Sequence, residues 1–337
     1  MRAAAGMAAV AVTAILGAAA PTADATLAYV KGAQQGRPVV WVAADDGTGA
    51  RALARGTSPR VSPDGTQVAY VTGTRRASLK VRPVGGGAAR TLARNVWDFD
   101  AVRWSADGTA LSVVTGPELG PYDLRLVDVA TGHARRVARG AFYGVSFAPG
   151  GEGLVYARAA RETYPVRADL YVAPIAAGPA RRITTSRNAT NPVWGPSRIA
   201  FDRSRRSSRR SDADKLEIYT ILPDGTGIHR VTHTRPPFLL SGLAPLAWSA
   251  DGSRLAAEYE GQDTGEAWRV NPQTGAAADA TGAFDGVVGW GLSRDGSLLL
   301  ASTGAFDAPD GTIIAIAWDG GARTVLARRA SQPDWSR

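Results

Sequence analysis

The chain of 337 residues has 45% apolar and 20% charged residues, 39 glycines and 20 prolines, a composition that folds and leaves room for a large core. The absence of Cys excludes a disulfide framework, a thiolate metal site, a Cys nucleophile and a lipid-bearing Cys, and leaves His133, His229 and His233 as the sole imidazoles. The net charge of +9 rests on 39 basic residues of which only Lys31, Lys80 and Lys215 are lysines, so it reads as compositional bias before it reads as nucleic-acid affinity.

In chain order, Met1-Arg2 sets one positive charge ahead of an apolar, Ala-rich run over 3–20, and Ala23-Asp24-Ala25 fits the small-x-small cleavage rule. Residues 1–25 are therefore expected to be a cleaved export signal. Residues 26–337 are expected to be a single domain, periplasmic or extracellular in a bacterial cell envelope, with no stable membrane anchor after cleavage.

One phrase then recurs: Ser62-Pro63-Asp64-Gly65, Ser105-Ala106-Asp107-Gly108, Ala148-Pro149-Gly150-Gly151, Gly195-Pro196-Ser197, Ser249-Ala250-Asp251-Gly252 and Ser293-Arg294-Asp295-Gly296, with Ser336 at the far end. The steps between first residues are 43, 43, 47, 54, 44 and 43, the length of one four-stranded propeller blade. An apolar strand precedes each phrase, Asp-Gly supplies a tight turn, and a second strand follows, as in Val68-Ala69-Tyr70-Val71 and Leu111-Ser112-Val113-Val114. A third strand (Leu79-Lys80-Val81, Leu170-Tyr171-Val172) leads to a fourth that is rich in Arg: Arg90-Thr91-Leu92, Arg135-Arg136-Val137, Arg181-Arg182-Ile183, His229-Arg230-Val231. Charge on an outermost strand discourages edge-to-edge pairing. The first unit lacks its first strand, and Gln332-Pro333-Asp334-Trp335-Ser336-Arg337 has the sequence to supply it. The expectation is an all-β, seven-bladed β-propeller closed by the C-terminal strand, with six blades as the alternative.

The pattern Pro-x-Trp-Ser-x-Asp-Gly followed by Arg/His-Arg-Val/Ile-Thr resembles the WD-repeat-like unit of the TolB family over essentially all of residues 26–337. The resemblance implies a six-bladed propeller behind a separate α/β domain, in the periplasm and bound to a peptidoglycan-associated lipoprotein. Here the spacing gives seven units, and no N-terminal domain is expected ahead of residue 26.

Candidate chemistry is sparse. Gly144-Val145-Ser146-Phe147-Ala148 and Gly291-Leu292-Ser293-Arg294-Asp295 lack the closing Gly of a nucleophile elbow, and His229 and His233 fall on an edge strand, so no catalytic residue, metal site or cofactor is expected. Trp104, Trp194, Trp248 and Trp335 share one register and read as packing residues. Residues not shared between units lie in long connections over 157–169, 203–215, 233–243, 259–266 and 303–311, all on one face. On them, Tyr164 and Arg167, the basic run with Arg203, Arg205, Arg206, Arg209 and Arg210, the carboxylates Asp98 and Asp100 of another connection, and Glu260 and Asp263 are the candidate binding residues.

Two functions fit. One is an exported, monomeric, non-enzymatic scaffold that binds a protein or an anionic envelope polymer, and not nucleic acid, since the basic run has no interleaved aromatics. The other is a propeller enzyme of lactonase, lyase or glycan-active type with its site at the channel mouth.

Overall fold

The computed structural model describes residues 26–74, 76–205, 215–234, 242–260, 265–281, 286–303 and 311–336, and these contain strands and turns with no helix. Strands β1 (Thr26–Lys31), β2 (Val39–Ala44) and β3 (Arg51–Arg55) form an antiparallel meander. The same order repeats in β4 (Thr57–Val61), β5 (Gln67–Thr72), β6 (Ser78–Pro83) and β7 (Arg90–Arg94). Next come β8 (Val96–Trp104), β9 (Ala110–Thr115), β10 (Tyr122–Asp128) and the first half of β11 (Ala134–Phe147), whose second half opens a further sheet with β12 (Gly153–Ala159), β13 (Asp169–Pro174) and β14 (Arg181–Arg182). Two more meanders follow: β15 (Ala189–Trp194), β16 (Ile199–Arg205), β17 (Lys215–Ile221) and β18 (His229–Arg230), then β19 (Gly242–Trp248), β20 (Leu255–Glu260), β21 (Gly265–Val270) and β22 (Ala277–Asp279). Strands β23 (Val287–Leu292), β24 (Leu298–Thr303) and β25 (Gly311–Ala317) pair with the first part of β26 (Arg323–Trp335).

The second strand of each meander is apolar on both faces because each sheet is sandwiched between two others. Val68, Val71, Leu111, Val113, Leu154, Val155, Ile199 and Phe201 are all fully buried, in clusters that bridge successive sheets. The recurring phrase is the turn between first and second strands. Ser62 Oγ donates to Asp64 Oδ1 (2.5 Å), Asp64 accepts from Thr66, and Gln67 N donates back to Ser62 Oγ (2.9 Å), while Gly65 takes a φ of 72°. Ser105, Ser249 and Ser293 repeat this frame.

The last residues of β26 leave β25 and pair with β1, Leu27 opposite Trp335 and Ala28 opposite Asp334. Thr26 N donates to Ser336 Oγ (2.9 Å) and Ser336 N to Thr26 O (3.0 Å), the bonds that join Gln67 and Ser62 across a continuous turn.

The arginines of the fourth strands have two jobs that their exposure alone does not reveal. The first Arg reaches the next sheet and donates to backbone carbonyls of its turn between third and fourth strands: Arg90 to Val129 and Ala130, Arg135 to Pro174, Ile175 and Ala176, Arg181 to Pro223 and Asp224. The second Arg and the following Thr clasp a buried carboxylate at the start of the third strand. Arg230 meets Glu217 Oε1 at 2.7 Å and Thr232 Oγ1 donates to Oε2 at 2.6 Å; Arg182 and Thr184 hold Asp169 in the same way. The phrase Arg-Val/Ile-Thr is thus a carboxylate clasp that pins the outer strand.

Candidate functional site

A central cavity of about 630 Å³ is lined by β4, β8, β11, β15, β19, β23 and β26, in each case the first strand of its sheet, together with Glu258 of β20. One register position, two residues before the recurring phrase, faces it every time: Arg60, Arg103, Ser146, Val193, Ala247, Gly291 and Asp334. Charge is confined to β26, β4 and β8, which belong to consecutive sheets, and the other four positions are small or apolar. This position is therefore charged on one side of the wall only, and the further charged lining group outside these three sheets is Glu258 of β20.

On the charged side, Arg60 is nearly buried and its Nη2 donates to Asp100 Oδ1 at 3.1 Å, whereas Asp100 is 86% exposed. Asp98 Oδ1 accepts from the backbone N–H groups of Asp100 (2.9 Å) and Ala101 (3.3 Å), and the register of β8 against β9 shifts at this point. Burial, and then the like charge of Asp100, raises the pKa of Asp98. Asp334 Oδ2 accepts from Val61 N at 2.6 Å; burial raises its pKa against the opposing pull of Arg60 and Arg103. Arg103 is pushed down to about 10 by burial and by repulsion from Arg60, and it has no carboxylate within ion-pair distance among the described residues.

Two buried donors on this wall, Arg60 Nε and Trp335 Nε1, have no partner among the described residues. Trp335 differs here from its counterparts, for Trp104 Nε1 donates to Arg60 O (2.9 Å) and Trp248 Nε1 to Val193 O (3.1 Å) in the preceding sheet. The arrangement offers guanidinium and indole donors on one flank and a mainly apolar surface, interrupted by Glu258, on the other. Among the described residues no three His, Cys, Asp or Glu side chains gather where a metal ion could be held.

The residues expected from sequence fall in several places. Asp98 and Asp100 lie within β8 and line the cavity; they are not on a connection, because the strand continues through Val96–Trp104 with a local shift. Arg203 and Arg205 belong to β16, since antiparallel pairing runs on through Arg203 with Glu217 and Arg205 with Lys215, and Arg203 sits over the Tyr219 ring at 5.0 Å. Glu260 closes β20 opposite Gly265. Tyr164 is 90% exposed between β12 and β13, and Arg167 on the same connection lines a separate, smaller hollow with Arg187. Arg206, Arg209, Arg210 and Asp263 lie outside the described residues. Sequence reasoning missed Arg60, Arg103, Asp334 and Arg187. Superposing the units on their shared phrase and reading the position two before it would have found the first three.

The fold is similar to solved β-propellers. TolB from Acinetobacter baumannii shares 15% identity at a TM-score of 0.55, covering 94% of this chain and 67% of that one. The β-propeller domain of the Trilobed protease from Pyrococcus furiosus shares 12% at a TM-score of 0.64, covering 90% and 92%. An oligogalacturonate lyase in complex with manganese shares 19% at a TM-score of 0.58, covering 80% and 76%. No family model matches the chain, and none of the curated proteins compared with it matches. At such identities the likeness establishes a TolB-like β-propeller fold and leaves the activity open.

Proposed function

We propose that the chain is an exported, non-enzymatic binding scaffold: a seven-bladed propeller closed on itself, whose central cavity and long-loop face hold a protein or an anionic envelope polymer. The closed seven-blade ring is supported by the pairing of β26 with β1 and by the packing of β26 against both β23 and β4. Export rests on the leader-like residues 1–25, and the scaffold acts as a monomer without cofactor or nucleic acid.

The observation that carries the function is the one-sided charge at the shared axial position of the cavity wall. A repeat scaffold needs only its shared positions, and here the shared axial position varies around the cavity, with Arg60, Arg103 and Asp334 on one flank. A ligand with one polar and one mainly apolar side fits it. The test is retention of the exported chain on purified cell envelopes. Arg103→Gln is expected to lower retention about fivefold, as for a desolvated charged hydrogen bond, without shifting the melting temperature. Retention equal to the parent's would take the cavity out of the account.

A second reading is favoured by one observation, the raised pKa of two of the cavity carboxyls, Asp98 and Asp334, a trait of acid–base groups. Cleavage of polygalacturonate or another glycan by the parent, abolished in Asp98→Asn, would replace the binding reading. Retention without turnover supports it.

A further inference from the structure

A second hollow, of about 230 Å³, opens away from the central cavity where three chain segments meet. Arg167 comes from the β12–β13 connection, Ser186, Arg187 and Asn188 from the β14–β15 connection, and Ser204 from the end of β16, so all lie at the end of the sheets that carries the long connections.

Its walls are built from the inside. Asp169, 4% exposed, accepts from Thr184 Oγ1 (3.0 Å) and from the backbone N–H of Arg187 (2.9 Å), and pairs with Arg182 at 2.5 Å. These bonds hold Arg187 in a left-handed conformation with a φ of 56°, while Arg182 takes up the carboxylate charge. Asn188 is clamped as well: its Oδ1 accepts from Arg203 Nε (3.2 Å) and its Nδ2 donates to Ser204 O (2.8 Å).

Against this fixed wall, the guanidinium groups of Arg167 and Arg187 have neither a carboxylate nor a hydrogen-bond acceptor among the described residues. Two like charges lining one hollow repel each other, and no described carboxylate compensates them. The hydroxyls of Ser186 and Ser204 add donors, and Pro165 closes one side. The volume is that of roughly seven waters, enough for one tetrahedral oxyanion with part of its hydration shell.

We propose, resting on the binding reading above, that this hollow seats a phosphate group carried by the partner. Paired guanidinium forks with hydroxyl donors match the several oxygens and double charge of phosphate. The phosphate belongs either to a phosphate-bearing polymer or to a lipid headgroup, and the experiment separates the two.

The exported chain is titrated calorimetrically with short-chain polyphosphate and cosedimented with phosphatidylglycerol vesicles, at low and at physiological salt. The pocket variant is Arg167→Gln with Arg187→Gln; the control is Arg94→Gln with Arg328→Gln, two exposed arginines of β7 and β26 that line neither cavity. Binding by the parent that falls about tenfold in the pocket variant and less than twofold in the control supports the seat. Arg167→Lys with Arg187→Lys keeps the charge without the fork and should recover only part of the affinity. Loss in the titration assigns the phosphate to a polymer, and loss confined to the vesicles assigns it to lipid. Equal loss in pocket and control variants, or no binding of either probe by the parent, overturns the proposal. Parent retention on whole envelopes with neither probe bound overturns this seat and leaves the binding scaffold standing; loss of envelope retention as well overturns both.

Discussion

Asp251 sits at the surface, yet Ser249 Oγ, then Ser253 N and Ser253 Oγ, donate to its carboxylate and hold its pKa down to about 2. Asp107 is lowered in the same way by Ser105 and Thr109. A carboxylate whose folded pKa lies below its unfolded value of about 3.9 stabilises the fold fully above that value and loses the contribution as pH falls through the folded pKa. The melting-temperature gap between the parent and Asp251→Ala should therefore be constant near neutral pH and close between about pH 4 and pH 2. A gap that persists at pH 2 would mean that the side chain acts through shape alone. Glu217 makes the opposite case, because its charge is buried and relies on Arg230 and Thr232. Arg230→Met should cost about 3 kcal/mol in urea unfolding by stranding that charge. Adding Glu217→Gln should restore part of the loss, and a double variant no better than the single would refute the clasp.

At the scale of strands and sheets, the link from one blade to the next runs through Arg135, whose guanidinium caps three carbonyls of the following turn. Arg135→Met should destabilise by about 1 kcal/mol, the net worth of part-exposed hydrogen bonds, measured in urea. This element level was largely legible in the sequence. Apolar runs bounded by Asp-Gly turns located the central strands, since a strand packed on both faces leaves no other pattern. What misled was local polarity. Asp98-Phe99-Asp100 and Arg203-Ser204-Arg205 read as connections, because composition cannot see a cross-strand partner such as Glu217 opposite Arg203. The charged flank of the cavity escaped for a different reason: Arg60, Arg103 and Asp334 lie far apart in the chain, and only the blade register brings them together. The edge arginines were read as deterrents to aggregation, when the first of each pair is spent on the neighbouring turn.

For the whole molecule, the pairing of β26 with β1 is the link between the two ends of the described chain. Deleting residues 331–337 should lower stability by several kcal/mol, on the order of half the total for a domain, and melting should broaden as β1 loses its inner neighbour. An unchanged melting temperature would overturn the proposed seven-blade ring. Trp335→Ala, removing a part-buried aromatic, should cost roughly 2–3 kcal/mol, below the range of a fully buried one. The bonds between Thr26 and Ser336 are those of an ordinary turn with its four middle residues left out. The position of the termini is then a matter of gene order and not of architecture. A circular permutant that replaces Arg337 with Pro-Asp-Gly-Thr, runs on into Thr26 and opens between Gly86 and Gly87 should fold to the same propeller, with its weakest joint moved from between β26 and β1 to between β6 and β7.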